Sequence, residues 1–148
     1  MTGQDGEMRR EGEKEIGEDK EFRLMPTVAI LGASADRTKY GNKSVRAHLQ
    51  QGYEVYPVNP KGGEIEGLRV YQTLGDVPVA RLNRISVYLP PAIVLGLLDE
   101  IAAKGCDELW LNPGSDSPKV VAKAELLGLN VIQACSIVGV GMSPSELG

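Results

Sequence analysis

Cysteine, histidine and the large aromatics are scarce: the 148 residues hold two Cys, one His, one Trp and one Phe. Cys106 and Cys135 cannot form a disulfide framework and neither stands in a metal-ligand spacing, so a disulfide-stapled secreted scaffold and a zinc module are excluded and a reducing cytoplasm is expected. With His48 as the lone histidine, no Ser-His-Asp arrangement can be assigned, and the scattered Asp and Glu residues establish no acid/base pair. His48 is expected to lie on the surface or to pack a helix. Long apolar runs are also missing. None approaches the roughly 20 residues that a spanning helix needs, so no membrane association is expected, and the first residues lack the apolar stretch of a signal peptide. Excess positive charge is absent as well: 16 Lys and Arg against 20 Asp and Glu leave a net charge of -4. No basic stripe offsets this, so nucleic acid is not an expected partner.

What remains has the size of one domain. Residues 1–25 read as a charged N-terminal tail, because Met1 to Phe22 is dense in Glu, Lys, Arg and Gly and has almost no apolar periodicity. Residues 26–148 read as the folded domain. Thr27 to Leu31 is an apolar run closed by Gly32, the pattern of a buried parallel strand. A helix is expected from about Asn42 or Lys43 to Gly52, with Val45 and Leu49 on one face, followed by a strand at Glu54 to Val58. Leu68 to Tyr71 reads as a short strand and Leu74 to Val77 as a brief helical turn. Then come a strand at Ile85 to Leu89, a helix from about Ala92 to Ala103, a strand at Glu108 to Leu111, a helix at Pro118 to Leu127 and a strand at Asn130 to Gln133. Ile93, Val94, Leu97, Leu98 and Ile101 make one continuous apolar face. This alternation predicts an α/β, Rossmann-like three-layer domain with a mostly parallel sheet.

In such a sheet, ligands bind beyond the carboxyl ends of the strands, near the point where strand order reverses. The segment after the first strand, Gly32 to Gly41, begins with the small residues Gly32, Ala33 and Ser34 and leads into a helix whose first amides can meet phosphate. Lys39 adds a point charge. An ordinary strand-to-helix turn is the alternative. The segment departs from two known patterns. It lacks the second glycine of a dinucleotide fingerprint, and Val58-Asn59 ends the second strand without an acidic residue for a ribose. It also lacks Walker spacing, because Gly41-Asn-Lys-Ser44 separates Gly from Lys by one residue.

The strand-end segments LGAS, KYGNKS, YPVNPKGG, VYLPP and WLNPG, with VIQACSIVGVG near the end, together resemble the small CoA-binding protein family. They are also similar to the CoA-binding portion of the succinyl-CoA synthetase α subunit. The resemblance covers roughly Val28 to Gly139. It implies that Gly32, Ala33 and Ser34, continued by Lys39, Tyr40 and Gly41, surround the diphosphate of CoA. It implies further that Val58, Asn59, Pro60 and Lys61 lie at the adenosine end, with Lys61 near a phosphate, and that Leu89, Pro90 and Pro91 lie beside the nucleotide. Asn112, Pro113 and Gly114 match a turn nearer the pantetheine path. Cys135 matches a cysteine position from which thiol exchange with CoA can be envisaged, a buried packing role being the alternative. Trp110 is expected in the core.

The synthetase carries its phosphorylated histidine in a further domain and works with a nucleotide-binding partner, and His48 matches no such segment. The leading expectation is therefore non-catalytic binding of CoA or an acyl-CoA. The alternatives are a CoA-presenting component of a multi-chain acyl-CoA synthetase, with a synthetase-like protein partner, and a nicotinamide-nucleotide sensor.

Overall fold

The computed structural model describes residues 25–148; the charged segment from Met1 to Phe22 lies outside the described residues. Five strands form one parallel sheet: β1 (Thr27–Leu31), β2 (Glu54–Val58), β5 (Leu82–Val87), β6 (Cys106–Leu111) and β7 (Val131–Ile132). They are arranged in the order β2-β1-β5-β6-β7. Two-residue strands β3 (Glu64–Ile65) and β4 (Leu68–Arg69) make a separate antiparallel hairpin. Helix α1 (Tyr40–Gln50) links β1 to β2, α2 (Pro91–Lys104) links β5 to β6, α3 (Pro118–Leu126) links β6 to β7, and the short α4 (Ser136–Gly139) follows β7.

Strand residues alternate between two buried faces, which is why the strands read as unbroken apolar runs. Ala29, Leu31, Ile85, Val87, Leu109 and Leu111 pack with Val94, Leu98 and Ile101 of α2 and with Val120 and Ala124 of α3. On the other face, Val28, Ile30 and Val55 pack against Val45 of α1. That second face also buries Arg84, Ser86 and Trp110, which the register places in neighbouring positions on β5 and β6. The Arg84 guanidinium stacks on the Trp110 ring at 4.4 Å and pairs with Glu108 at 3.2 Å, so the charge is enclosed but matched. Trp110 is in the core, as expected.

Several boundaries differ from the sequence reading. Helix α1 starts at Tyr40, before Asn42, because Lys39 takes the extended conformation of an N-cap. Strand β5 runs Leu82–Val87 and stops short of Leu89, whose amide donates to Ser115 Oγ and not to a neighbouring strand. Strand β6 begins at Cys106, ahead of Glu108, and β7 is only Val131–Ile132. The expected strand at Leu68 to Tyr71 is shorter: Leu68–Arg69 pairs with Glu64–Ile65, a partner strand the apolar pattern did not reveal, while Tyr71 forms an isolated bridge to Val58. Leu49 is 37% exposed and stands outside the core clusters, so Val45 alone of that expected pair packs inward.

His48 packs α1 onto the sheet and is fully buried. Its Nδ1 lies 2.8 Å from the Ser44 carbonyl and its Nε2 lies 3.4 Å from Arg84 Nη1, an arrangement that suits a neutral ring donating at one nitrogen and accepting at the other.

Helix α4 approaches the sheet through a glycine. A Cβ on Gly139 would stand 2.5 Å from the far edge of the Trp110 ring. Gly139→Ala is expected to lower stability by about 1–3 kcal/mol, as overpacking does. An unchanged urea midpoint would show that Trp110 or α4 yields freely.

Candidate functional site

The sheet order reverses between β1 and β5, so their two exit loops diverge and leave a crevice at the carboxyl edge. Backbone contacts define its floor. Tyr88 N donates to the Leu31 carbonyl at 2.8 Å, and Gly32 N and Ala33 N both donate to the Val58 carbonyl, at 3.2 and 3.3 Å. Gly32 has a φ of 84°, and a Cβ there would lie 2.3 Å from the Tyr88 carbonyl oxygen. A Cβ on Gly41 would lie 2.3 Å from the Gly32 carbonyl oxygen. The close packing of the β1 exit against the start of α1 and the β5 exit thus requires glycine at both positions.

Side chains brace the β1 exit loop. Ser34 Oγ accepts from Asp36 N, and the Asp36 carboxylate accepts from Thr38 N at 3.0 Å and Thr38 Oγ1 at 2.7 Å. The Thr38 hydroxyl and amide hold the Asp36 carboxyl below the usual carboxylate range. Buried Asn42 donates to the Ser34 carbonyl and to Glu66 Oε2, while Asn59 donates to the Ala33 carbonyl at 2.8 Å. Helix α1 then begins with no side-chain cap and no acidic residue in its first turn. Lys39 N and Asn42 N donate to the Asp36 and Lys39 carbonyls, which leaves the Tyr40 and Gly41 end of the helix, with the positive end of its dipole, at the border of the crevice, the electrostatics an anion requires.

Two cavities meet here. The first, about 410 Å³, has apolar walls from Val58, Pro60, Leu74, Leu89, Ile93 and Leu97. The second, about 470 Å³ and more open, is bordered by Ser34, Lys39, Tyr40, Tyr88, Pro91 and Pro113. Both are in the size range of ligand sites. Gly32 and Leu89 border both cavities.

The structure brings most of the expected residues together. Gly32, Ser34, Lys39, Tyr40, Gly41 and Leu89 line the second cavity, as do Pro90, Pro91, Pro113 and Gly114. Val58 and Pro60 line the first. Four others line neither. Ala33 is buried, and its amide and that of Gly32 are already engaged by Val58, so these two residues supply space for close approach. Asn59 ties two loops together, Lys61 is exposed with its amide bonded to Asn59 Oδ1, and Asn112 is 1% exposed. Asn112 Nδ2 donates to Ser86 Oγ and the Val87 carbonyl, while its Oδ1 accepts from Ser136 N, so its amide holds α4 to the sheet.

Cys135, at the N-cap of α4, is half-buried and lines neither cavity. It precedes Ser136, whose hydroxyl lies 3.0 Å from Tyr88 OH and 2.6 Å from Ser86 Oγ. Burial pushes the Tyr88 phenol up, keeping it protonated within this network. Cys106 is buried at the start of β6, at the edge of the sheet opposite the crevice, and burial pushes its thiol up to about 11.

Sequence reasoning missed Gln72, Thr73, Leu74 and Glu100 in the first cavity and Tyr88 and Ser115 in the second. It also assigned Ile93 and Leu97 to a single core stripe. Val94, Leu98 and Ile101 do pack in the core, but Ile93 remains 52% exposed and borders the cavity with Leu97. The signal was there in the width of the stripe, which exceeds what contact with the sheet consumes. Among the described residues there is no group of three or more His, Cys, Asp or Glu able to hold a metal ion, and no helix is long and apolar enough to cross a membrane.

The chain is 30% identical over 137 residues to acetate–CoA ligase [ADP-forming] I subunit alpha of Pyrococcus furiosus, an alignment covering 82% of this chain and 29% of that protein. It thus spans under a third of that relative's length. Among solved structures, a conserved hypothetical protein of Pyrococcus furiosus superimposes with a TM-score of 0.70 at 32% identity, covering 78% of this chain and 99% of that one. The apo form of an acetyl-coenzyme A synthetase from Ca. Korarchaeum cryptofilum does so with a TM-score of 0.63 at 28% identity, covering 74% of this chain and 26% of that one. Residues 26–140 match the pattern of the CoA binding domain, and the chain, folded on a parallel five-stranded sheet, belongs to that family.

Proposed function

We propose that this protein binds CoA or an acyl-CoA in the crevice and presents its thiol end to a synthetase-type partner that supplies the ligation chemistry. The observation that carries the reading is the pair of cavities joined at Gly32 and Leu89, beside an uncapped helix start. The apolar cavity suits the adenine ring. The diphosphate fits near the first amides of α1, with Ser34 and Lys39 at the border, and the open second cavity leads pantetheine past Tyr88 and Pro113. In this reading Lys61, exposed after the adenosine-side loop, meets a phosphate through its flexible stem.

The presenting role is supported by the similarity to a ligase subunit and by the burial of His48, the chain's only histidine. An imidazole enclosed between Ser44 and Arg84 is no phosphoryl carrier. By this reading the chain alone forms no acyl-CoA from a carboxylic acid, ATP and magnesium, and it gains that activity on co-purification with an ATP-binding synthetase subunit. Turnover by the purified chain would overturn the division of labour.

Calorimetric titration tests the binding itself. CoA is expected to bind, with NADH weaker because β2 ends in Val58-Asn59, where no carboxylate meets a ribose. Lys39→Ala and Lys61→Ala are each expected to weaken CoA roughly twofold to fivefold, the modest effect of exposed charges. Binding of NADH in preference to CoA would replace this reading with a nicotinamide-nucleotide sensor.

A further inference from the structure

Among the described residues lining the apolar cavity, Glu100 of α2 is the single ionisable one. It lies seven residues after Ile93, which is about two helical turns or roughly 10 Å further along the same face. Its Oε2 accepts from Gly75 N at 3.3 Å, which holds the side chain against the 3-10 turn Leu74–Asp76 on the facing wall. That long contact engages one lone pair of a group that carries about four. The carboxylate is partly exposed beside Leu74, Leu97 and Ile101, and its remaining lone pairs are open to a donor on a ligand. The neighbouring amide of Gln72 is directed elsewhere: its Nε2 donates to the Pro60 carbonyl at 3.0 Å and secures the cavity's outer loop.

A flat apolar ring with one exocyclic amine matches this wall: the ring packs between Leu97 and Val58, and the amine meets the carboxylate. We propose that Glu100 accepts a hydrogen bond from the exocyclic amine of the adenine ring and is a specificity-determining residue of the site. The assignment rests on the CoA reading. It makes the cavity select for the amine, in addition to the apolar face common to all bases.

Calorimetry on the full chain tests it with CoA and with etheno-CoA, in which the exocyclic nitrogen is closed into an added ring and cannot donate. Wild type is expected to prefer CoA roughly tenfold, the scale of a hydrogen bond to a charged acceptor. In Glu100→Ala, CoA should weaken to within about twofold of etheno-CoA. Glu100→Gln, which retains an uncharged acceptor of the same shape, should keep a preference of roughly threefold, and its helical dichroism and melting curve check that the fold is intact. A preference that persists unchanged in Glu100→Ala and Glu100→Gln would be steric and would overturn the assignment, as would equal binding of both ligands to wild type. Failure of CoA itself to bind wild type would instead overturn the CoA reading on which the assignment stands.

Discussion

Replacing Gly32 by valine is expected to abolish detectable CoA binding and to lower stability by more than about 2 kcal/mol. Two penalties add. A left-handed φ of 84° disfavours any side chain, and the new Cβ would lie 2.3 Å from the Tyr88 carbonyl, a backbone atom that cannot rotate away. Relief requires the β1 and β5 exit loops to part, which removes the common border of the two cavities. Gly128→Ala separates the penalties, because Gly128 has a φ of 81° with nothing within 4 Å of its Cβ position. That control should cost about 1 kcal/mol and leave CoA binding unchanged. Calorimetry and urea unfolding on both variants measure the difference. Wild-type affinity in Gly32→Val would mean that the crevice between these loops is not the binding site.

Acid should begin to destabilise the fold at about pH 6.5, before carboxylates protonate, through His48. Burial pushes its imidazole down to about 4, with the Ser44 carbonyl opposing and the Arg84 charge reinforcing the shift. In the unfolded chain the ring titrates near its ordinary value of about 6.5. Between these values the unfolded state binds the proton that the folded state refuses, so stability falls as pH falls. The contribution is fully present above about pH 6.5, declines through the interval and is lost below about pH 4; it amounts to on the order of 3 kcal/mol. Asp36 and Asp107, whose carboxyls are held low by Thr38 and by Asn83 and Arg81, add their loss only at lower pH. Urea unfolding at pH 7 and pH 4.5 should show the drop in wild type and a clearly smaller one in His48→Gln. Equal drops would assign the acid sensitivity to other groups.

Much of the fold was legible because the local and tertiary signals agree. Thr27 to Leu31 is apolar on both faces since α1 covers Val28 and Ile30 while α2 covers Ala29 and Leu31. Gly52, Gly105 and Gly128 take positive φ at or just after helix ends, as their placement in the pattern indicated. Less legible were the parts held by distant partners. The Glu64–Ile65 strand is two residues long and shows no apolar alternation, and the hairpin it forms is tied to α1 by Glu66 through Asn42. Helix α4 has four residues, too few for a periodic signal, and depends on Asn112 and Trp110 for its position.

The same division runs through the site. Apolar periodicity and turn chemistry were sufficient to determine a parallel α/β domain with a strand-end site, because both are local properties, while the ordered segments from LGAS to WLNPG carried the resemblance to the CoA-binding family that the family match bears out. Which side chains face the crevice was decided by the tertiary structure alone. Asn112 and Asn59 read as ligand-facing yet spend their amides bracing other loops, since a buried amide must satisfy its hydrogen bonds wherever the nearest partners lie. Gln72 and Glu100, separated in sequence from every strand-end segment, reach the cavity because α2 crosses the sheet there and the 3-10 turn folds back towards it. Proximity across α2 and that turn is set by packing, which no local pattern encodes.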